Sequence, residues 1–361
     1  MAPRKLALGR GPGANTLAIV ASLQASVACS LLTDFGGLAG SSQGTVGPRA
    51  DAGTDAEAEA ADARSCAGAC GCFAAPVTLA QNERDPRGLV VDGSDLYWAS
   101  PSAHAVRRVP KTGGPAATLG STATAVHGVT LDPLNVYWIG DTNGGCDPLT
   151  GLFSEAKANG ATTRVQSCTD ALFTARGIAN DALNVYWTNP GESSVYAASK
   201  ANGAVVALAA MQGAPESIAV NATAVFWTTT ATQQIVRWDK GSGAVDVLAS
   251  SQRSALGIAA DEGTVFFTTA TAVLAIDGRA RDAGSPTPLA SAQDAPTAIA
   301  IDARCVYWTT AGDGAVWAIP KTGGAAARLA AGQNTPQALA VDASGVYWAN
   351  ATGEIVGLSR Q

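Results

Sequence analysis

A seven-bladed β-propeller of four-stranded antiparallel blades, an all-β fold, is the class that the sequence predicts, and three observations predict it. An aromatic pair recurs seven times at near-constant spacing. Each pair is preceded, five positions earlier, by Asp or Asn. The seventh unit stops one strand short, and a segment resembling the missing strand stands at the head of the repeated region.

The pairs are Tyr97-Trp98, Tyr137-Trp138, Tyr186-Trp187, Phe226-Trp227, Phe266-Phe267, Tyr307-Trp308 and Tyr347-Trp348, separated by 40, 49, 40, 40, 41 and 40 residues. The residues five before them are Asp92, Asp132, Asp181, Asn221, Asp261, Asp302 and Asp342. A fixed period of this length marks a repeat architecture. One unit shows the strands. Residues 299–301 are a short apolar strand, and residues 302–305 are a turn in which Asp302 bonds its own backbone. Residues 306–310, β-branched and aromatic, make a second strand, and residues 315–319 a third. Lys321-Thr322-Gly323-Gly324 is a hairpin turn, with glycine supplying positive φ, before a fourth strand at 326–330. Four short strands in about forty residues is the pattern of a propeller blade. The last unit ends after its third strand, 354–359, and residues 76–80 supply its fourth, so the N-terminal strand closes the ring and removes its open edges.

The propeller is therefore expected over 76–361. Residues 1–29 read as an export signal: Arg4, Lys5 and Arg10 are basic, residues 16–28 are apolar, and Val27-Ala28-Cys29 is similar to a bacterial lipoprotein box. Cys29 is the expected lipidation site, and lipid at Cys29 is the only membrane contact expected. Residues 30–75 form an acidic, Ala- and Gly-rich linker that buries too little apolar area to offset its chain entropy, and disorder is expected there. The chain is read as exported, to the outer membrane or periplasm as a lipoprotein, or otherwise secreted.

A net charge of −6 and 14% charged residues argue against nucleic acid as a partner, because phosphate binding needs a basic patch. Seven cysteines fit an oxidising compartment. Cys146 lies in the long loop of the second unit and Cys168 follows that unit's fourth strand, on the same face, so a disulfide between them is expected. Pairing among Cys66, Cys70, Cys72 and Cys305 stays open, with Cys72–Cys305 as one candidate. Cys66, Cys70 and Cys72 lack the further Cys or His that zinc requires, and no metal or other cofactor is expected.

The Tyr-Trp-Thr segments with their Lys-x-x-Gly turns resemble the YWTD repeat of LDL-receptor-type propellers, and more distantly the NHL and TolB-like propellers. The resemblance covers about 76–361 and implies the fold. It does not carry over the partners, because the Asp after Tyr-Trp-Thr is replaced in every repeat and there are seven repeats where that family has six.

Propeller ligands usually sit at the channel mouth, on loops entering the innermost strands. The equivalent positions there read Arg87, His127, Arg176, Glu216, Leu256, Thr297 and Gln337. Arg87, His127, Arg176 and Glu216 are the candidate ligand-binding residues, joined on the same face by Asp141 and Asn189. Arginine offers an anion a bidentate fork. No catalytic residue is assigned, since no nucleophile–base set or phosphate loop is present. Virginiamycin-lyase-like propellers use His and Glu in the channel, which only His127 and Glu216 could imitate here. The expectation is a monomeric, non-catalytic propeller at the bacterial cell envelope, binding a protein, a glycan or a small anionic ligand. The alternative is a propeller lyase or metal-dependent hydrolase with its site at the mouth.

Overall fold

The structure is a computed structural model that describes residues 65–122, 125–140, 151–167, 174–281 and 284–361. The expectations placed on Cys29, Asp141, Cys146 and Cys168 fall outside these residues.

Seven four-stranded antiparallel sheets form the ring. In chain order blade 1 begins with Arg87–Val91, blade 2 with Val126–Leu131, blade 3 with Ile178–Asn180 and blade 4 with Pro215–Val220. Blade 5 begins with Ile258–Ala260, blade 6 with Pro296–Ile301 and blade 7 with Pro336–Val341. These first strands are innermost, and each packs on the first strand of the next blade, with blade 7 returning to blade 1. The predicted closure is present: Val77–Ala80 pairs with Ile355–Ser359, in the register Val77 to Gly357 and Thr78 to Val356, as the fourth strand of blade 7. Among the described residues no helix is long and apolar enough to cross a membrane.

The aromatic pairs explain the seven-fold build. Adjacent residues of a strand point to opposite faces of its sheet. The first aromatic of each pair therefore meets the following blade, and the second meets the preceding one. Tyr97 of blade 1 shares a buried cluster with Trp138 of blade 2, and Tyr137 with Trp187. Tyr186 meets Trp227, Phe226 meets Phe267, and Phe266 meets Trp308. Tyr307 meets Trp348, and Tyr347 meets Trp98. Each junction thus holds two large rings, and a ring of this size buries on the order of 150–250 Å².

A polar latch crosses the far end of most junctions. In blade 3, Asp181 Oδ1 accepts the backbone N–H groups of Leu183 and Asn184, each at 2.8 Å. Its Oδ2 accepts the Tyr186 hydroxyl at 2.7 Å and Lys240 Nζ of blade 4 at 2.7 Å. One carboxylate thereby shapes its turn, satisfies the phenol and binds the neighbouring blade. The same pair recurs as Lys157–Asp92 (2.9 Å), Lys200–Asp132 (2.7 Å), Lys321–Asp261 (2.9 Å) and Lys111–Asp342. Between blades 6 and 7 the cation is Arg360, 2.7 Å from Asp302. The lysines also lie over the rings they reach, as Lys200 does at 4.6 Å from the Tyr137 centroid.

The junction between blades 4 and 5 departs at three positions together. Asn221 replaces the Asp, Phe226 replaces the Tyr, and Gly278 occupies the lysine's place, its N–H bonding Gly263 O as Lys240 N bonds Thr223 O. A Cβ on Gly278 would stand 3.4 Å from the Phe226 ring and 3.1 Å from Val265. Asn221 Nδ2 instead donates to Asp261 O at 2.8 Å. An unpaired charge in this half-buried place is costly, so the partners are lost together.

Ordered structure reaches further toward the N-terminus than composition indicates. Ser65–Cys66 pairs with Cys72–Phe73, Phe73 is fully buried, and Gln361 N donates to Cys72 O at 2.9 Å. The candidate Cys72–Cys305 bond is corrected: Cys305 bonds Cys70, with a Cα separation of 5.8 Å, and Cys72 is engaged in another disulfide. The short turn at Gly68–Cys70 carries Cys70 inward, where both it and Cys305 are fully buried.

Candidate binding site at the channel mouth

The loops from each outer strand to the next inner strand open on one face, and the predicted ring of mouth positions lies there. Arg87 opens its strand, while His127, Glu216, Thr297 and Gln337 are second in theirs. Arg176 and Leu256 stand two residues before theirs. The residue after each mouth position is small: Gly88, Gly128, Gly177, Ser217, Gly257, Ala298 or Ala338. Neighbouring inner strands approach too closely for more. A Cβ on Gly177 would lie 2.6 Å from Glu216 O, to which Gly177 N donates at 3.0 Å. This collar is readable in the repeat itself, one place beyond the mouth positions.

Two adjacent depressions occupy the mouth. One, of about 360 Å³, is lined by Arg87, Ser217, Leu256, Thr297 and Gln337, with the buried side chains of Leu89, Ile258, Ile299 and Leu339 among its walls. The other, of about 210 Å³, is lined by Arg176, Gly177, Glu216, Ser217 and Leu256. Ser217 and Leu256 belong to both. Leu256 is 45% exposed, an apolar side chain in a largely polar rim.

The charges are unequal in availability. Arg87 Nε lies 3.0 Å from Asp85 Oδ1, so its charge is offset. Arg176 is exposed and makes no side-chain hydrogen bond or ion pair with a described residue in the structure. Glu216 is half-buried, and that burial pushes its carboxyl above the ordinary glutamate range, while Arg176 and His127 pull it back. Arg176 and His127 therefore both lie within electrostatic reach of Glu216. Gln337 and Thr297 serve neighbouring blades: Gln337 Nε2 donates to Pro86 O at 3.0 Å, and Thr297 Oγ1 to Pro336 O at 3.0 Å.

Asn189 does not join this group. It ends the second strand of blade 3 fully buried, and its Oδ1 accepts from Thr174 Oγ1 at 2.8 Å and from Glu192 N at 3.1 Å. Those bonds hold its amide in the blade's own turn. The polar residue that sequence reasoning passed over is Ser217, a collar position, and the apolar one is Leu256. Chemically, the arrangement offers one available guanidinium, a half-buried carboxyl and an imidazole above an apolar floor.

No family model matches the sequence, and no curated protein matches it. Solved structures do resemble the fold. A streptogramin B lyase matches with a TM-score of 0.65 at 15% identity, over 79% of this chain and 97% of that one. Virginiamycin B lyase from Staphylococcus aureus gives a TM-score of 0.65 at 14% identity, over 79% and 98%. BamB from Moraxella catarrhalis gives 0.52 at 16%, over 82% and 95%. At such identities the likeness is one of fold alone, and in this chain that fold is a seven-bladed β-propeller.

Proposed function

We propose that this chain is a non-catalytic binding propeller, held at the bacterial cell envelope through Cys29, whose channel mouth takes an anionic ligand. The observation that carries the reading is Arg176, a guanidinium left without a bonded partner among the described residues, beside a concave depression at the ring's centre. Binding sites of folds with a central opening favour such concave positions with a few convergent polar groups. The basic start and apolar stretch of residues 1–28 support export, and the acidic linker supports a spacer between lipid and propeller.

The test is a methyl-NMR titration of the full chain with butyrate, which reads weak binding. Shifts are expected at Leu256 and Ile258, and Arg176→Gln is expected to lower the affinity roughly tenfold, the scale of a charge-assisted hydrogen bond. Arg304→Gln, on the opposite face, is the control. Absence of shifts at the mouth, or equal losses in both variants, overturns the reading. A second reading, a lyase, is favoured by the placing of His127 within electrostatic reach of the Glu216 carboxyl at the mouth. Its observable is turnover of a streptogramin B substrate that is abolished in Glu216→Gln.

A further inference from the structure

The mouth is asymmetric, and the asymmetry names a ligand class. Going round the ring, the basic and acidic positions Arg87, His127, Arg176 and Glu216 are consecutive, and Leu256, Thr297 and Gln337 follow. Asp85 offsets Arg87, and Gln337 and Thr297 are engaged with the next blade. Arg176 is therefore the mouth guanidinium left for a ligand, beside Glu216 and Ser217 in the smaller depression. The remaining depression offers aliphatic surface: the exposed Leu256 at its edge and buried aliphatic side chains beneath. Leu256 and Ser217 line both depressions, so a molecule anchored at Arg176 reaches the larger depression by passing over Leu256.

We infer that the mouth binds a monoanionic amphipath, a carboxylate carrying an aliphatic tail, with its head at Arg176 and its tail over Leu256 in the larger depression. The inference rests on the mouth being an anion site, as proposed above, and adds the tail. A single available guanidinium next to a carboxyl suits one negative charge rather than two, because a dianion would face Glu216 with its second charge uncompensated. A cationic head is disfavoured by Arg176. A wholly polar ligand would leave the exposed Leu256 in water, whereas a tail covers it.

The experiment compares butyrate, octanoate and octylamine on the full chain by the same titration. Each methylene buried at ~0.8 kcal/mol raises affinity about fourfold, so octanoate is expected to bind roughly tenfold or more tighter than butyrate even if half the added tail stays wet. Octylamine is expected not to bind. Leu256→Asn should shrink the octanoate-to-butyrate ratio at least several-fold, and Arg176→Gln should weaken both acids while keeping the ratio. Leu256 is exposed, so its substitution leaves the fold intact, which the unshifted resonances of the opposite face verify. If butyrate binds and depends on Arg176 but octanoate is no tighter, the anion site stands and the amphipath inference falls. The amphipath inference falls equally if Leu256→Asn leaves the ratio unchanged or octylamine competes. If neither acid binds at the mouth, the anion-site reading itself fails.

Discussion

Asp181 and Lys240 stand 2.7 Å apart with side-chain exposures of 23% and 18%, between the regimes of surface and buried ion pairs. Exposed pairs contribute ~1 kcal/mol or less, and breaking a buried pair costs ~3–5 kcal/mol because one charge is stranded. Lys240→Met should therefore cost about 1–3 kcal/mol, and Asp181→Asn a comparable amount, since it also weakens the turn bonds and the Tyr186 bond. The double variant should cost less than the sum, because no charge is left alone. Denaturation midpoints of the four proteins check this, and strict additivity would show that the latch is not a coupled pair. The chain contains its own precedent in Asn221, Phe226 and Gly278, where charge, counter-charge and hydroxyl are absent at one junction.

At the scale of elements, the strands were legible because their signals are local. Alternation fixes which aromatic faces which blade, and the five-residue offset from Asp to Tyr places the carboxylate under the phenol. The closing strand was legible as well, because the truncated last unit demands a partner. The latch was not, since it joins lysines and aspartates far apart in sequence, from 59 residues in Lys240–Asp181 to 231 in Lys111–Asp342, across a neighbour relation that spacing alone does not orient. The mouth was legible as a ring of positions, but not which members are spent: Gln337 and Thr297 look free in sequence and are held by the next blade, and Asn189 is drawn into its own turn. The N-terminal segment failed for a similar reason. Composition marks residues 65–75 as linker, yet Phe73 is buried under the Arg360 guanidinium, 5.4 Å from its ring centroid, and Cys70 reaches Cys305. That bond spans 235 residues of sequence, so by loop entropy it stabilises the ring by up to about 5 kcal/mol. Peptide mapping without reduction should recover Cys70 linked to Cys305, and Cys305→Ala should lower the thermal midpoint. Recovery of a Cys72–Cys305 peptide would refute the assignment.

Over the whole molecule, the latches make the ring's cohesion depend on pH in a way that one junction escapes. Burial alone would raise the carboxyls of Asp92, Asp132 and Asp181, but bonds from the neighbouring lysine and from backbone N–H groups outweigh it and bring each down to about 2. A carboxyl whose folded pKa is depressed contributes stability that is present above its unfolded value, near 3.9, and is lost as pH falls through the folded value. The window is therefore between about pH 4 and pH 2. Asn221 does not titrate, yet it caps its turn in the same manner, accepting Thr223 N at 3.0 Å and Ala224 N at 2.8 Å. On acidification from pH 5 to 2.5, the amides of Leu183 and Asn184 should lose protection against hydrogen exchange, after correction for intrinsic rates. Those of Thr223 and Ala224 should keep theirs, because their acceptor and the apolar Phe226–Phe267 contact beside it carry no proton-linked charge. Site-resolved exchange measured by NMR distinguishes the two turns directly. Equal loss at both would mean that acid opens the ring globally rather than latch by latch, and that the charged junctions are no more acid-sensitive than the apolar one.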